Sequence, residues 1–347
     1  MKKIVQVLVL FVMASTAIMA QNKYEIIQEF IKEANENSQL ERLGHELLDV
    51  VGPRLVGTPQ MEHASKWAIN QYEKWGIDAR QENYGTWRGW ERGITHIDMI
   101  SPRVQSLDGT QLAWSPSTSS KGVSAEAIVL PSNIADADAF KKWLSTVKGK
   151  IVLISMNQPT GRPDYNWEEF ATEESFQKMK DNRAAMLREW RANINRTGYN
   201  TRTIIGALEE AGAVGLVSCN WSRGFGVNKI FSARTKNIPT VDMELEDYTM
   251  LYRLAEYGNK PVLNIVAESK ELGEVPTFNV IGEIKGSEKP DEYVMLSAHF
   301  DSWDGGTGAT DNGTGTLVML EAMRILTKIL KNMQKIIDDS SATKLLI

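Results

Sequence analysis

Residues 298–315 read AHFDSWDGGTGATDNGTG and set His299 two positions before Asp301, with Asp311 ten further on among glycines. The apolar run YVML precedes them and a helical pattern follows from about Gly315, so the stretch reads as the end of a strand and its loop in an open α/β sheet. Ligands bind at such strand ends. Three chemistries share this order. A dinucleotide loop needs G-x-G-x-x-G, and Gly306 and Gly308 match it in part, but Asp311 stands at the third glycine position, where a carboxylate repels a pyrophosphate. A serine hydrolase could pair His299 with Ser297 or Ser302, but the chain holds no G-x-S-x-G elbow. The third chemistry is a metal site. Imidazole and carboxylate suit zinc, manganese or cobalt; His299 can be a ligand while Asp301 receives its other ring N–H, which fixes the tautomer. Asp311 can bridge two ions about 3.5 to 4 Å apart, and the glycines let the backbone turn closely around them.

Outward from this stretch, the pattern is α/β. Apolar residues at helical spacing predict two helices joined by a turn over 23–50, a Gly- and Pro-rich loop at 51–59, and a third helix over 60–76 closed by Gly76. Residues 77–130 look strand-like, with a turn-rich middle around Trp87, Trp90 and GWERG. VKGKIVLI (147–154), GALEEAGAVGLVS (206–218) and the strand and helix of 238–258 predict a small α/β unit. The charged excursion 164–202 within it reads as solvated helix. ELGEVPTFN (271–279) looks like the return, followed by two strands, NVIGEI and YVMLSAHF.

At 347 residues the chain exceeds one ordinary core, so a domain with an insertion, or two domains, is expected. Lys2 and Lys3, the apolar run Ile4 to Ala14, and small residues up to Ala20 predict a signal peptide over 1–20, cleaved after Ala17 or Ala20, hence a secreted or periplasmic protein with no membrane span. A formal charge of −5 and the lack of any basic run argue against nucleic acid. Cys219 is the only cysteine, so no intramolecular disulfide forms, and its flanks GLVSCNW read as packing rather than nucleophile.

SAHFDSWDGGTGATDNGTG resembles the first metal motif of the secreted di-zinc exopeptidases, the group that includes bacterial aminopeptidases, glutamate carboxypeptidase and carboxypeptidase Q. GPRLVGTPQMEHASKWA (52–68), WERG (90–93) and TFNVIGEIKGSEKPDEYVMLSAHFDSWD (277–304) are most similar to the carboxypeptidase Q branch, and the similarity runs over most of 22–330. The resemblance implies a mixed sheet sandwiched by helices, over 21–120 and 268–330, with a protease-associated unit inserted at 121–267 and an atypical tail at 331–347. It implies two zinc ions, with His299 ligating one, Asp311 bridging both and Asp301 orienting His299. The implied substrates are dipeptides or short peptides, cut by metal-activated water. Aminopeptidase or carboxypeptidase specificity and homodimerisation are left open.

The downstream sequence departs from this pattern. The family continues with a glutamate pair, general base first and ligand second, then an aspartate and a histidine ligand. Here no glutamate follows Glu321 and no histidine follows His299. His45, His63 and His96 lie upstream in ordinary helix or strand contexts. Asp338 and Asp339 follow no strand, and the tail keeps Leu326, Ile329, Leu330, Met333, Ile336 and Ile337 at helical spacing. The expectation is that a frameshift or broken reading frame replaced the C-terminal part, so that the polypeptide as written lacks a general base, binds zinc weakly and is inactive. The alternative from another class is a catalytically dead binding protein. Missing neighbour strands further predict an exposed, aggregation-prone edge.

Overall fold

The computed structural model describes residues 24–226, 232–287 and 289–339. The expected signal segment therefore lies outside the described residues, as do the last eight positions. Helices α1 (24–36) and α2 (Leu40–Gly44) open the fold, and α2 widens into one π-type stretch over His45–Val51. Helix α3 (Pro59–Trp75) has the start and stop its sequence announces. The Thr58 hydroxyl accepts from the Met61 amide, Pro59 occupies the first turn, and Gly76 ends the helix at φ 75°.

Strand β1 (Asp78–Ser101) then continues through the region expected to turn, with its register to the partner strand shifting at Gly89–Trp90 and Arg92–Thr95. Trp90 there is fully buried, and burial of so large a ring outweighs the turn preference of its glycine neighbours. Its partner is β8 (Val262–Glu283), antiparallel along nearly its whole length. Ser101 pairs with Val262, so all the intervening chain leaves and returns at one end of this ribbon.

That intervening chain builds β2 (Gln105–Leu107), β3 (Gly109–Gln111), β4 (Val123–Val129), β5 (Ile151–Leu153), β6 (Gly215–Ser218) and β7 (Thr240–Met243). Helices α4 (Ala137–Leu144), α5 (Asp164–Phe170), α6 (Glu173–Arg196), α7 (Thr203–Glu210) and α8 (Leu245–Glu256) connect them. The result is one eight-stranded mixed sheet, ordered β2-β1-β8-β4-β5-β6-β7-β3, in which β4 to β7 are parallel. Side-chain alternation buries both faces of its parallel part. Ile151, Leu153 and Val217 pack with Tyr248 and Leu251 of α8, while Val152 and Leu216 pack with Phe140, Ile194, Ile204 and Leu208.

A separate core joins the N-terminal helices to the last one. Leu43, Leu47, Val51 and Ala64 pack against Leu317 of α9 (Thr314–Asp339), with Phe300 at the margin. This core carries the loop that holds the histidine and aspartates.

The expected strand YVMLSAHF is not formed. Residues 291–303 adopt no strand, and Val294 is 97% and Met295 82% exposed. Among the described residues, the outer half of β8 pairs with β1 alone and offers no ladder to this segment's other side. A strand exists only where its backbone groups find partners, whatever its side chains prefer.

Candidate metal centre

The loop between Phe300 and α9 is folded against Arg54 of the N-terminal part of the chain and is tied to strand β1 through Arg92. Gly308 sits at φ 66°, and the Gly313 amide donates to its carbonyl at 2.8 Å, closing a turn that presents Asp311. The Asp311–Asn312 peptide is cis. The carbonyl of His299 accepts from the Thr316 hydroxyl at 3.3 Å and from the Asn312 amide group at 3.4 Å. The start of α9 thereby pins the histidine's backbone.

All three residues singled out from sequence come together. Asp301 Oδ1 lies 3.0 Å from Nδ1 of His299, and Asp311 Oδ1 lies 3.1 Å from Nε2. The ring therefore faces a carboxylate on each side. The indole N–H of Trp303 donates to the other oxygen of Asp311 at 3.0 Å. All three side chains are about half exposed, so solvent and small ions reach them.

A zinc ion holds nitrogen and oxygen donors at about 2.0 to 2.2 Å, and two such donors at a tetrahedral angle stand roughly 3.3 Å apart. The spacing of Nε2 and Asp311 Oδ1 fits two donors of one ion. It does not make a complete site: among the described residues no three His, Cys, Asp or Glu side chains converge as a metal-holding group. Asp301 is on the far side of the ring and can only orient it. The last glutamate, Glu321, is buried and bonded to Arg324 through both oxygens at 2.8 Å, so it is committed to the core. His45 pairs with Asp49 at 2.9 Å on the surface, and His63 and His96 stand on α3 and β1. Asp338 and Asp339 end α9, their side chains outside the described residues.

Two arginines that the sequence reading passed over hold this loop. Arg54, wholly buried, donates to the carbonyls of Phe300, Thr307 and Gly308. Burial pushes its guanidinium below the usual arginine range, and the charge of Asp301 acts the other way. Arg92, in the WERG segment, pairs with buried Asp304 and lies over the Trp90 ring, 4.9 Å from its centroid. The available signal was a lone charged residue inside a Gly- and Pro-rich loop, GPRLVG. Cys219 behaves as expected of packing: burial, then the charge of Asp242, pushes its thiol up to about 12.

In sequence and fold the chain is similar to peptidases. Within that class the resemblance is to one family: residues 279–338 match the model of Peptidase family M28. Carboxypeptidase Q of Mus musculus is 30% identical over 292 residues, covering 84% of this chain and 55% of that protein. Carboxypeptidase Q of Homo sapiens is 29% identical over 301 residues, with the same coverage. The crystal structure of a peptidase M28 precursor from Shewanella amazonensis superposes with a TM-score of 0.57 at 25% identity, covering 89% of this chain and 64% of that one. The chain thus spans about half the length of the curated relatives it matches. Among the described residues no helix is long and apolar enough to cross a membrane.

Proposed function

We propose that these residues carry the first half of a two-zinc exopeptidase site of the carboxypeptidase Q-like type, acting on dipeptides or short peptides in a secreted or periplasmic protein. The observation that carries the reading is the histidine between two carboxylates, with Nδ1 at Asp301 and Nε2 at Asp311. Donating Nδ1–H to Asp301 leaves the Nε2 lone pair directed at the position a metal would take beside Asp311. His299 and Asp311 would be the ligands, and Asp311 would be the carboxylate shared between ions. Zinc, when bound, supplies Lewis acidity and a water that ionises near neutral pH. Trp303 holds the second oxygen of Asp311, which keeps that carboxylate's plane fixed.

Two protein donors, among the described residues, fall short of the three that catalytic zinc requires, and Glu321, bonded to Arg324 through both oxygens, is not free to take a proton from bound water. A polypeptide of these 347 residues is therefore expected to bind zinc weakly and not to hydrolyse peptides. An inserted unit is supported by the departure and return of the chain at the Ser101–Val262 pair, which brackets 102–261; its protease-associated character and the bounds 121–267 rest on the resemblance. Aminopeptidase specificity is the second reading within the family.

The test is metal content and turnover of the purified polypeptide. Expected are well under one zinc per chain after dialysis and no dipeptide hydrolysis, with a weak zinc response that His299→Ala abolishes. Near-stoichiometric zinc surviving dialysis, or hydrolysis stopped by a chelator, would show a complete site and overturn the half-site reading.

A further inference from the structure

We propose that Arg54 is the positioning residue for this site: its single guanidinium closes the loop 300–308 and so sets His299 and Asp311 at ligand spacing before any metal arrives. The inference rests on the metal reading above, but its geometry stands apart from it. Nε donates to the carbonyl of Phe300 at 3.1 Å, next in chain to His299. On the other side Nη1 and Nη2 donate to Thr307 at 2.9 Å and Gly308 at 3.2 Å. The two ends of the loop are thus tied to one rigid plane. The Gly308 carbonyl also receives the Gly313 amide, so the turn presenting Asp311 hangs from the same point.

Arg54 is itself held still. Its amide donates to the Ser302 hydroxyl at 2.8 Å, its carbonyl accepts from the Ser302 amide at 3.1 Å, and Nη1 also donates to Gly52 at 2.9 Å. Gly308 is explained by this contact rather than by a metal: a Cβ there would lie 2.3 Å from Ser302 Cβ and 2.9 Å from Nη2 of Arg54. A buried cation with no carboxylate in hydrogen-bond contact is costly, and it persists here because carbonyl dipoles replace its water. Lysine cannot substitute, because its donors radiate from one point, whereas the guanidinium spreads five across a plane.

The experiment compares wild type, Arg54→Lys and Ser302→Ala, the last removing only the hydroxyl that anchors the Arg54 amide. Amide hydrogen exchange is followed at 300–308 and in β5 and β6, and Zn²⁺ alone is titrated against the His299 imidazole resonances. Expected is a tenfold or greater loss of protection confined to 300–308 and zinc binding about tenfold weaker, as changes behind metal ligands typically produce. If Arg54→Lys does not fold, Ser302→Ala decides by the same two readouts. Wild-type protection and zinc response in a folded variant, or a loss spread evenly over β5 and β6, would overturn the proposal. A wild-type His299 that ignores zinc sinks the metal reading instead, and the exchange data still judge the loop closure.

Discussion

Arg324→Met should destabilise the fold severely, because Arg324 neutralises two buried carboxylates that join α1 to α9. Its side chain and those of Glu33 and Glu321 are each 6% exposed. Nη1 meets Glu33 at 2.7 Å, Nε and Nη2 meet Glu321 at 2.8 Å, and Nη2 reaches the Asn37 carbonyl at 3.2 Å. Removing the arginine leaves Glu321 with the Gln39 amide and Glu33 with Lys328 and the Asn37 amide group. Breaking one partner of a buried pair costs about 3 to 5 kcal/mol. In a chain of this length, about 2 °C is lost per kcal/mol, so the melting temperature should fall by roughly 6 to 10 °C. The cost depends on pH in a definite direction. Burial pushes the Glu33 carboxyl up, but hydrogen bonds from Lys328 and Arg324 outweigh it and leave it below the usual range. A depressed carboxylate contributes stability above its unfolded value, about 4.3, that is lost as pH falls through the folded value. The gap between wild type and variant should therefore be full at pH 7 and close under acid. Replacing all three groups with apolar residues should recover most of the loss. Thermal unfolding followed by circular dichroism measures it. A single variant that melts within about 1 °C of wild type would refute the reasoning.

Asp242 offers an opposite pH signature: burial pushes its carboxyl up to about 6 despite hydrogen bonds from Ser218 and Asn220. The native state then holds a proton more tightly than the unfolded chain, so stability falls as pH rises from about 3.9 through 6. Between pH 5 and 7.5 wild type should lose on the order of 1 kcal/mol more than Asp242→Asn in urea unfolding, and parallel profiles would contradict this. The unpaired apolar segment predicts a solubility effect without a stability effect. Val294→Lys, at a position 97% exposed, should reduce light scattering on concentration while leaving the unfolding midpoint within about 0.5 kcal/mol of wild type. Unchanged scattering would mean that association uses another surface.

Much of this molecule was legible in the sequence wherever the deciding interactions are local. Thr58 and Pro59 start α3 and Gly76 ends it, because capping and left-handed termination involve residues a turn apart. The runs IVL and GLVS became fully buried parallel strands, as continuous apolar character requires of strands covered on both faces. The order of His299, Asp301 and Asp311 singled out three side chains that the fold does bring together.

What only the tertiary structure decided depends on partners far along the chain. YVMLSAHF has the composition of a strand but lacks a ladder, and Trp90 lies in a strand where its glycines suggested a turn. Arg54 reaches carbonyls about 250 positions away, and Glu321, the last glutamate, is committed to the core by Arg324 and to the start of α2 by Gln39. Periodicity and capping are properties of a few consecutive residues. Strand pairing, and the burial of one charge against distant carbonyls, are settled only when the whole chain has collapsed around them.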